Sequence, residues 1–153
     1  MGNPDRLLLE KFLSGGGKPL AFDSNPFSVS LGGMIEQLDG AVGTLAMSFT
    51  PAHQFIQGNG VLQGGIVSSM LDFVLGLCVV PMLPPNMTAA TASLTVSFMR
   101  GALPGKFVAT GHVDKLGKRT AFTRGTLTDE FGNLVASGVS VLSVIPEPAL
   151  RAK

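Results

Sequence analysis

A single carboxylate stands out in the middle of this chain. Residues 40–99 contain no Lys or Arg and one acid, Asp72. Its neighbours over residues 66–80 are mostly apolar, and burying an isolated carboxylate costs free energy. Either the side chain reaches solvent or caps a backbone amide, or it has a chemical role as a general base or a nucleophile. Asp72 is therefore the first candidate catalytic residue.

A glycine pair, Gly64-Gly65, precedes the same apolar segment. Backbone N–H groups at the positive end of a helix can stabilise a carbonyl oxygen that gains charge during acyl transfer. Turn flexibility explains a glycine pair equally well. Because Asp72 follows Gly64 by eight residues, or about 12 Å of helix, one carbonyl group cannot contact both. A reaction that uses both predicts an active site shared across a dimer interface.

The elements that must position these groups follow from residue patterns. Asn3-Pro4 predicts the start of a short helix, which the glycines at 15–17 end, although a disordered tail remains an alternative. Residues 27–37 are predicted as a strand. Leu45, Met47 and Phe49 alternate with small or polar residues and predict another. A helix is predicted from Gly64 to about Val80, apolar on nearly all sides and therefore surrounded by protein.

Four further strands are predicted after residue 85. They comprise a segment containing Leu94, Val96 and Phe98, followed by residues 107–113, 121–128 and 134–145. Turn signals separate them, and no helix lies between them, so the sheet is antiparallel. The predicted fold class is α+β, with a strongly curved antiparallel sheet wrapped around the central helix.

Composition narrows the functional classes. The chain has 153 residues, the size of one domain, with 14% charged residues and a net charge of +1, so a nucleic-acid partner is not expected. One cysteine excludes an intrachain disulfide. His53 and His112 lack companion ligands, so no metal site is expected. Without a signal segment or an uninterrupted apolar span, we expect a cytoplasmic protein with no membrane partner.

The segment QGNGVLQGGIVSSMLDFVLG, residues 57–76, resembles the central motif of the PaaI-like hotdog thioesterases of the 4-hydroxybenzoyl-CoA thioesterase superfamily. Gln57 stands at the amide position of that motif, Gly64-Gly65 at its glycine pair and Asp72 at its acid. TASLTVSFMRGALPG, residues 91–105, and KLGKRTAF, residues 115–122, extend the similarity. One position departs, because Gln63 stands where the family usually has histidine, and Gln cannot carry a proton.

This resemblance implies a hotdog fold over residues 18–147, preceded by a helix and linker over 1–17 and followed by a tail over 148–153. It implies an acyl-CoA thioesterase without a cofactor, assembled as a homodimer or homotetramer. The amides of Gly64 and Gly65 would polarise the thioester carbonyl, and Asp72 of the partner subunit would activate water or attack directly. The remaining implied site residues are Gln57, positioning water or the leaving group, Gln63, orienting groups, and Thr91, orienting water.

Basic residues cluster downstream. Six of them lie between Arg100 and Arg124, against one acid, Asp114. Because CoA carries phosphates, we expect Arg100, Lys118 and Arg119 to contact it, although a solvated hairpin face explains the cluster equally well.

Two other functions remain open. A non-catalytic acyl-CoA-binding or lipid-binding protein is suggested by Gln63. A dehydratase or hydratase is disfavoured, because no histidine accompanies Asp72.

Overall fold

The computed structural model describes residues 3–147; the predicted tail over 148–153 lies outside the described residues. The helices and strands, in chain order, are α1 (Pro4–Ser14), β1 (Leu20–Ala21), α2 (Pro26–Ser30), β2 (Met34–Asp39), β3 (Thr44–Phe49), α3 (Gly64–Leu77), β4 (Met87–Phe98), β5 (Phe107–Leu116), β6 (Thr120–Asp129) and β7 (Leu134–Pro146). Single 3₁₀ turns cover His53–Phe55 and Val80–Met82.

The seven strands form one antiparallel sheet in the order β1-β2-β3-β5-β6-β7-β4. Helix α3 packs against β3, β4, β5, β6 and β7, so the sheet curves around it. The predicted α+β class and the central helix are confirmed. Strand β4 directly follows α3 in the chain but lies at the edge of the sheet, and within residues 3–147 no other strand pairs with its outer side.

A row of glycines lets α3 approach the sheet closely. Gly111, Gly125 and Gly138 lie opposite one another on β5, β6 and β7. A Cβ atom at Gly111 would lie 2.6 Å from the carbonyl oxygen of Val74, and one at Gly138 would lie 3.4 Å from the side chain of Leu71. Any side chain at Gly111 would therefore push the helix off the sheet.

The buried stripe of α3 consists of large apolar residues, including Met70, Leu71, Val74 and Leu75, none of which is exposed. The segment Gly64–Met82 is long and apolar enough to cross a membrane by length and composition alone. Half of its apolar window is buried inside the fold, as expected of the core helix of a globular domain.

Two predictions about the first third of the chain need correction. Residues 27–37 do not form one strand, because α2 occupies Pro26–Ser30 and β2 begins only at Met34. The cause is the Asn25-Pro26 pair: the Asn25 side chain accepts a hydrogen bond from Ser28 N, and proline occupies the first helical turn. The two-residue strand β1 was not predicted.

Helix α1 is present, and its predicted cap is confirmed, since the Asn3 side chain accepts a hydrogen bond from Asp5 N. The helix packs against the rest of the domain, because Leu9 and Phe12 are buried in the same core cluster as the α3 stripe. The division at residue 17 between a linker and a domain stays a prediction.

Candidate active site

Asp72 lies in the second half of α3 and forms a hydrogen-bonded pair with β4. The hydroxyl group of Thr91 donates to Asp72 Oδ1 at 2.8 Å, and among the described residues no donor contacts the other carboxylate oxygen. Asp72 is half-buried and Thr91 is exposed. The acid is therefore not enclosed in the apolar core, because it lies beside the buried stripe and faces a pocket.

That pocket has a volume of about 170 Å³ and walls from three elements. Helix α3 contributes Asp72 and Phe73, strand β4 contributes Thr88 and Thr91, and the start of α1 contributes Asp5 and the N-cap residue Asn3. The contribution of α1 was not predicted. Asn3 carried only a helix-start signal in the sequence, and nothing in the sequence places that helix beside Asp72.

The first turn of α3 carries unpaired backbone donors. Gln63 occupies the N-cap without a side-chain capping bond, and no acceptor within residues 3–147 receives the N–H groups of Gly64 and Gly65. A Cβ atom at Gly65 would meet no heavy atom within 4 Å, and one at Gly64 would lie 3.5 Å from the ring of Phe98. These two amides can therefore bind an oxygen atom that approaches from outside the helix.

The two candidate amide side chains lie at this same end of α3. Gln57 and Gln63 line a second pocket, of about 300 Å³, whose apolar wall includes Phe55 and Ile66. The side-chain oxygen of Gln57 accepts a hydrogen bond from Asn59 N at 3.3 Å. Gln63 is exposed. The pocket can hold an apolar group next to the free amides, with side-chain amides at its polar wall.

The predicted site residues thus form two separate groups within one chain. One group is Thr91 and Asp72; the other is the N-terminal end of α3 with Gln57 and Gln63. The two pockets share no lining residue. Along α3 the groups are about 12 Å apart, so a single acyl carbonyl cannot contact both within one chain.

The predicted phosphate contacts are divided in the same way. Arg100 follows β4, and its backbone N–H donates a hydrogen bond to the carbonyl oxygen of Val135, at the start of β7. Lys118 and Arg119 lie in the turn between β5 and β6, at the opposite end of the sheet, because the length of β6, about 30 Å, separates the two ends. These three residues do not form one cluster within a chain.

Other reactive side chains contribute little to this site. Cys78 is fully buried just after α3, and this burial raises the pKa of its thiol to about 12, which suppresses its nucleophilicity. Within residues 3–147, no three or more His, Cys, Asp or Glu side chains form a group that could hold a metal ion.

Comparison with known proteins decides the family. A family model described as the thioesterase superfamily matches residues 59–136. The chain belongs to the thioesterase superfamily. The matched residues contain both α3 and β4, and with them Gly64, Gly65, Asp72 and Thr91, whereas Gln57 lies just outside.

Similar proteins agree with that assignment. The medium/long-chain acyl-CoA thioesterase YigI of Salmonella typhimurium is 27% identical over 132 residues, which cover 78% of this chain and 85% of YigI. A putative thioesterase of Ralstonia eutropha, described as phenylacetic acid degradation-related, has a TM-score of 0.77 and 26% identity, covering 89% of this chain and 98% of that one.

The PaaI protein of E. coli, from the phenylacetic acid degradation operon, has the same fold, with a TM-score of 0.74 and 18% identity. The match covers 93% of this chain and 94% of PaaI. The predicted hotdog fold and the PaaI-like resemblance are confirmed.

Proposed function

We propose that this protein hydrolyses acyl-CoA thioesters to a free acid and CoA, in active sites that each combine residues of two protomers. The observation that carries the proposal is the Thr91–Asp72 hydrogen bond on one end of α3, combined with the unpaired amides of Gly64 and Gly65 on the other. Membership of the thioesterase superfamily and the similarity to YigI support the reaction type.

The edge strand β4 supplies a geometric route to such a site. Its residues 90–93 are exposed, and an unpaired edge is a template for another strand. If two β4 strands pair antiparallel about a two-fold axis at Thr95, the bulge between Thr91 and Ser93 places Thr91 opposite the partner's Phe98. Since Phe98 lies against Gly64 and Thr91 binds Asp72, this register brings each carboxylate towards the glycine amides of the other protomer.

The chemistry then follows from the donors and acceptors. The amides of Gly64 and Gly65 bind the thioester oxygen and stabilise the negative charge that develops on it. Thr91 holds Asp72 Oδ1, so Oδ2 is free to take a proton from water as the water attacks the carbonyl carbon. In the alternative route Oδ2 itself attacks and the resulting anhydride is hydrolysed. In both, the C–S bond breaks and CoA leaves as the thiol.

The remaining predicted residues have supporting roles in this proposal. Gln57 and Gln63, at the glycine end, position the water or the leaving group. The same two-fold pairing moves Arg100 of one protomer towards the end of the sheet where the partner's Lys118 and Arg119 lie. A joint contact with the CoA phosphates, and assembly beyond the dimer, stay predictions.

Replacement of the carboxylate tests the proposal. Purified Asp72→Asn and Asp72→Ala proteins are assayed for thiol release from butanoyl- to palmitoyl-CoA, benzoyl-CoA and phenylacetyl-CoA. We expect kcat to fall by about 10²–10⁴-fold with the fold retained, because the general base or nucleophile is lost. Asp23→Asn, which changes an exposed acid in a loop, is the matched control. Wild-type rates in Asp72→Ala would remove this residue from the mechanism.

A non-catalytic acyl-CoA-binding protein is the second candidate, because Gln63 has no titrating group to move a proton. Calorimetric titration of the wild-type protein with the same CoA esters separates the two functions. Binding without thiol release at any pH supports the second candidate, whereas turnover that Asp72→Asn abolishes supports hydrolysis.

A further inference from the structure

Helix α1 is fastened to the rest of the molecule by a buried arginine. The side chain of Arg6 is 11% exposed, and its Nε donates to Glu147 Oε1 at 3.2 Å. Its other two nitrogens donate to backbone carbonyl oxygens, namely those of Val80 at 3.3 Å, Pro84 at 3.3 Å and Met87 at 2.5 Å. A buried guanidinium is tolerated only when it is hydrogen-bonded in this way.

The three carbonyl groups belong to the connection between α3 and β4. Val80 comes three residues after the end of α3, and Met87 is the first residue of β4. The backbone hydrogen bonds within this connection are short-range ones, from Met82 N to Val79 O, Leu83 N to Val80 O and Met87 N to Pro84 O, and Pro81, Pro84 and Pro85 have no N–H group to add others. Pro146, the residue opposite Met87 on β7, has none either. The backbone bond from Glu147 N to Asn86 O holds one end of the segment, and the Arg6 side chain joins both ends, at Val80 and Met87, to α1.

The two elements that this segment joins carry the two members of the Thr91–Asp72 pair. Asp72 is eight residues before Val80 on α3, and Thr91 is four residues after Met87 on β4. A shift of β4 along α3 would change the distance from Thr91 Oγ1 to Asp72 Oδ1. The same arginine also docks the first turn of α1, which brings Asn3 and Asp5 to the wall of the Asp72 pocket.

We propose that Arg6 is a positioning residue for catalysis, which holds β4 where Thr91 donates its hydrogen bond to Asp72. This inference rests on the proposed function of Asp72. Arginine suits the role because its planar group presents fixed, divergent donors to several acceptors, whereas lysine presents one point charge. No other side chain of α1 donates a hydrogen bond beyond the helix within residues 3–147.

The test compares variants in the full-length protein, using the acyl-CoA of the series above that the wild type hydrolyses fastest. Arg6→Lys keeps the charge and the pairing with Glu147 but loses the fork to the carbonyl groups. We expect kcat to fall about tenfold, because the Thr91–Asp72 pair is displaced. The substrate contacts stay in place, so KM should remain within about twofold of the wild-type value. Glu147→Gln, which removes only the ion pair, and Leu9→Ala, which only weakens α1 packing, should keep the wild-type kcat.

A double-mutant cycle with Thr91→Ala gives the decisive readout. If Arg6 acts through Thr91, Arg6→Lys causes no further loss of kcat in the Thr91→Ala background, whereas independent effects multiply. Three results would overturn the inference. They are losses of kcat that multiply in the double variant, an unchanged kcat in Arg6→Lys, and a loss of kcat in Leu9→Ala as large as that in Arg6→Lys. If circular dichroism shows Arg6→Lys unfolded, Arg6→Gln combined with Glu147→Gln, which leaves no unpaired charge, replaces it in the cycle.

The outcomes separate this inference from the function on which it rests. An inactive Asp72→Asn protein together with a fully active Arg6→Lys protein refutes only the role of Arg6. An active Asp72→Asn protein refutes the proposed function itself.

Discussion

Asp72 lies in the second half of α3 and Gln63 lies at its start, and the chemistry open to each side chain depends on its neighbours. At one end Thr91 engages one carboxylate oxygen and leaves the other available. At the other end Gln63 is exposed beside two free amides and makes no capping bond of its own. The side chain at position 63 can therefore change without disturbing the helix start, which makes it a useful probe of proton transfer.

Gln63→His should keep or raise the rate of thioester hydrolysis. An imidazole beside Gly64 adds a group that can carry a proton, and the pH–rate profile should gain a step near the ordinary histidine pKa of about 6.5. Gln54→His, at another amide in the same pocket, is the matched control and should not add that step. A folded but inactive Gln63→His protein would instead show that the amide at position 63 is required.

The thiol of Cys78 should resist alkylation in the folded protein. Burial raises its pKa from 9.0 to about 12, so at pH 8 it remains protonated, and iodoacetamide should react only after unfolding. Linkage gives a second expectation: the stability that this thiol supplies is fully present below pH 9.0 and falls as the pH rises towards 12. Cys78→Ala should lack that contribution. Rapid labelling under native conditions, checked by mass spectrometry against guanidinium-unfolded protein, would contradict this account.

At this scale the sequence predicted part of the candidate site. A lone acid in an apolar segment pointed to Asp72, and the family resemblance added Thr91, which the structure places in a hydrogen bond with it. The residues of α1 in the pocket, Asn3 and Asp5, and the anchoring Arg6 could not be predicted, because their contacts lie far away in the chain. No local pattern reports which loop a helix will cover.

Among the elements, the contact between α3 and the sheet depends on backbone space. A Cβ atom at Gly125 would collide with the carbonyl oxygen of Thr110 and lie 3.0 Å from Leu75. Both contacts belong to packed interior, where neither neighbour can move freely. The glycine row therefore sets how deeply the helix is seated.

Gly125→Ala should lower the free energy of unfolding by about 1–3 kcal/mol, the usual effect of forcing an extra carbon into a packed core. Gly58→Ala is the matched control, since a Cβ atom there meets nothing within 4 Å. Urea denaturation followed by circular dichroism measures both variants. Equal stability of Gly125→Ala and the wild type would mean that the helix can lift off the sheet without cost.

Strong, repeated patterns gave the right elements. Alternation predicted β3, because its large apolar residues lie on a buried face, and the turn signals separated β4, β5, β6 and β7. The error over residues 27–37 arose where the apolar pattern was weak and a single capping asparagine decided the local structure. The same Asn-Pro signal had correctly located α1, so the information was present at Asn25 but was not used.

For the whole molecule, the open edge of β4 decides how copies can associate. Edge strands of this length are normally covered or protected by charge, and β4 carries no charged residue between Met87 and Phe98. That composition favours pairing with a second copy over a free edge.

Thr95→Lys should weaken the proposed dimer, because the two-fold axis would place two lysines close together across the new strand pair. We expect the dissociation constant from sedimentation velocity to rise by about tenfold, a penalty of about 1.4 kcal/mol, with a parallel loss of activity on dilution. Thr126→Lys, an exposed threonine on β6 within the sheet, should behave as wild type. A wild-type protein that is monomeric and fully active would contradict the shared site.

The spacing of the two groups on α3 has a consequence for mixtures. In the proposed dimer no reaction centre is built from one chain alone, because each chain contributes its carboxylate to one centre and its glycine amides to the other. Two inactive variants, one without the acid and one with the helix start blocked, would then regain activity when co-expressed. Every heterodimer of the two would contain one intact centre and one centre that lacks both groups. Such rescue between defective copies is beyond any enzyme whose reaction centre lies within a single chain.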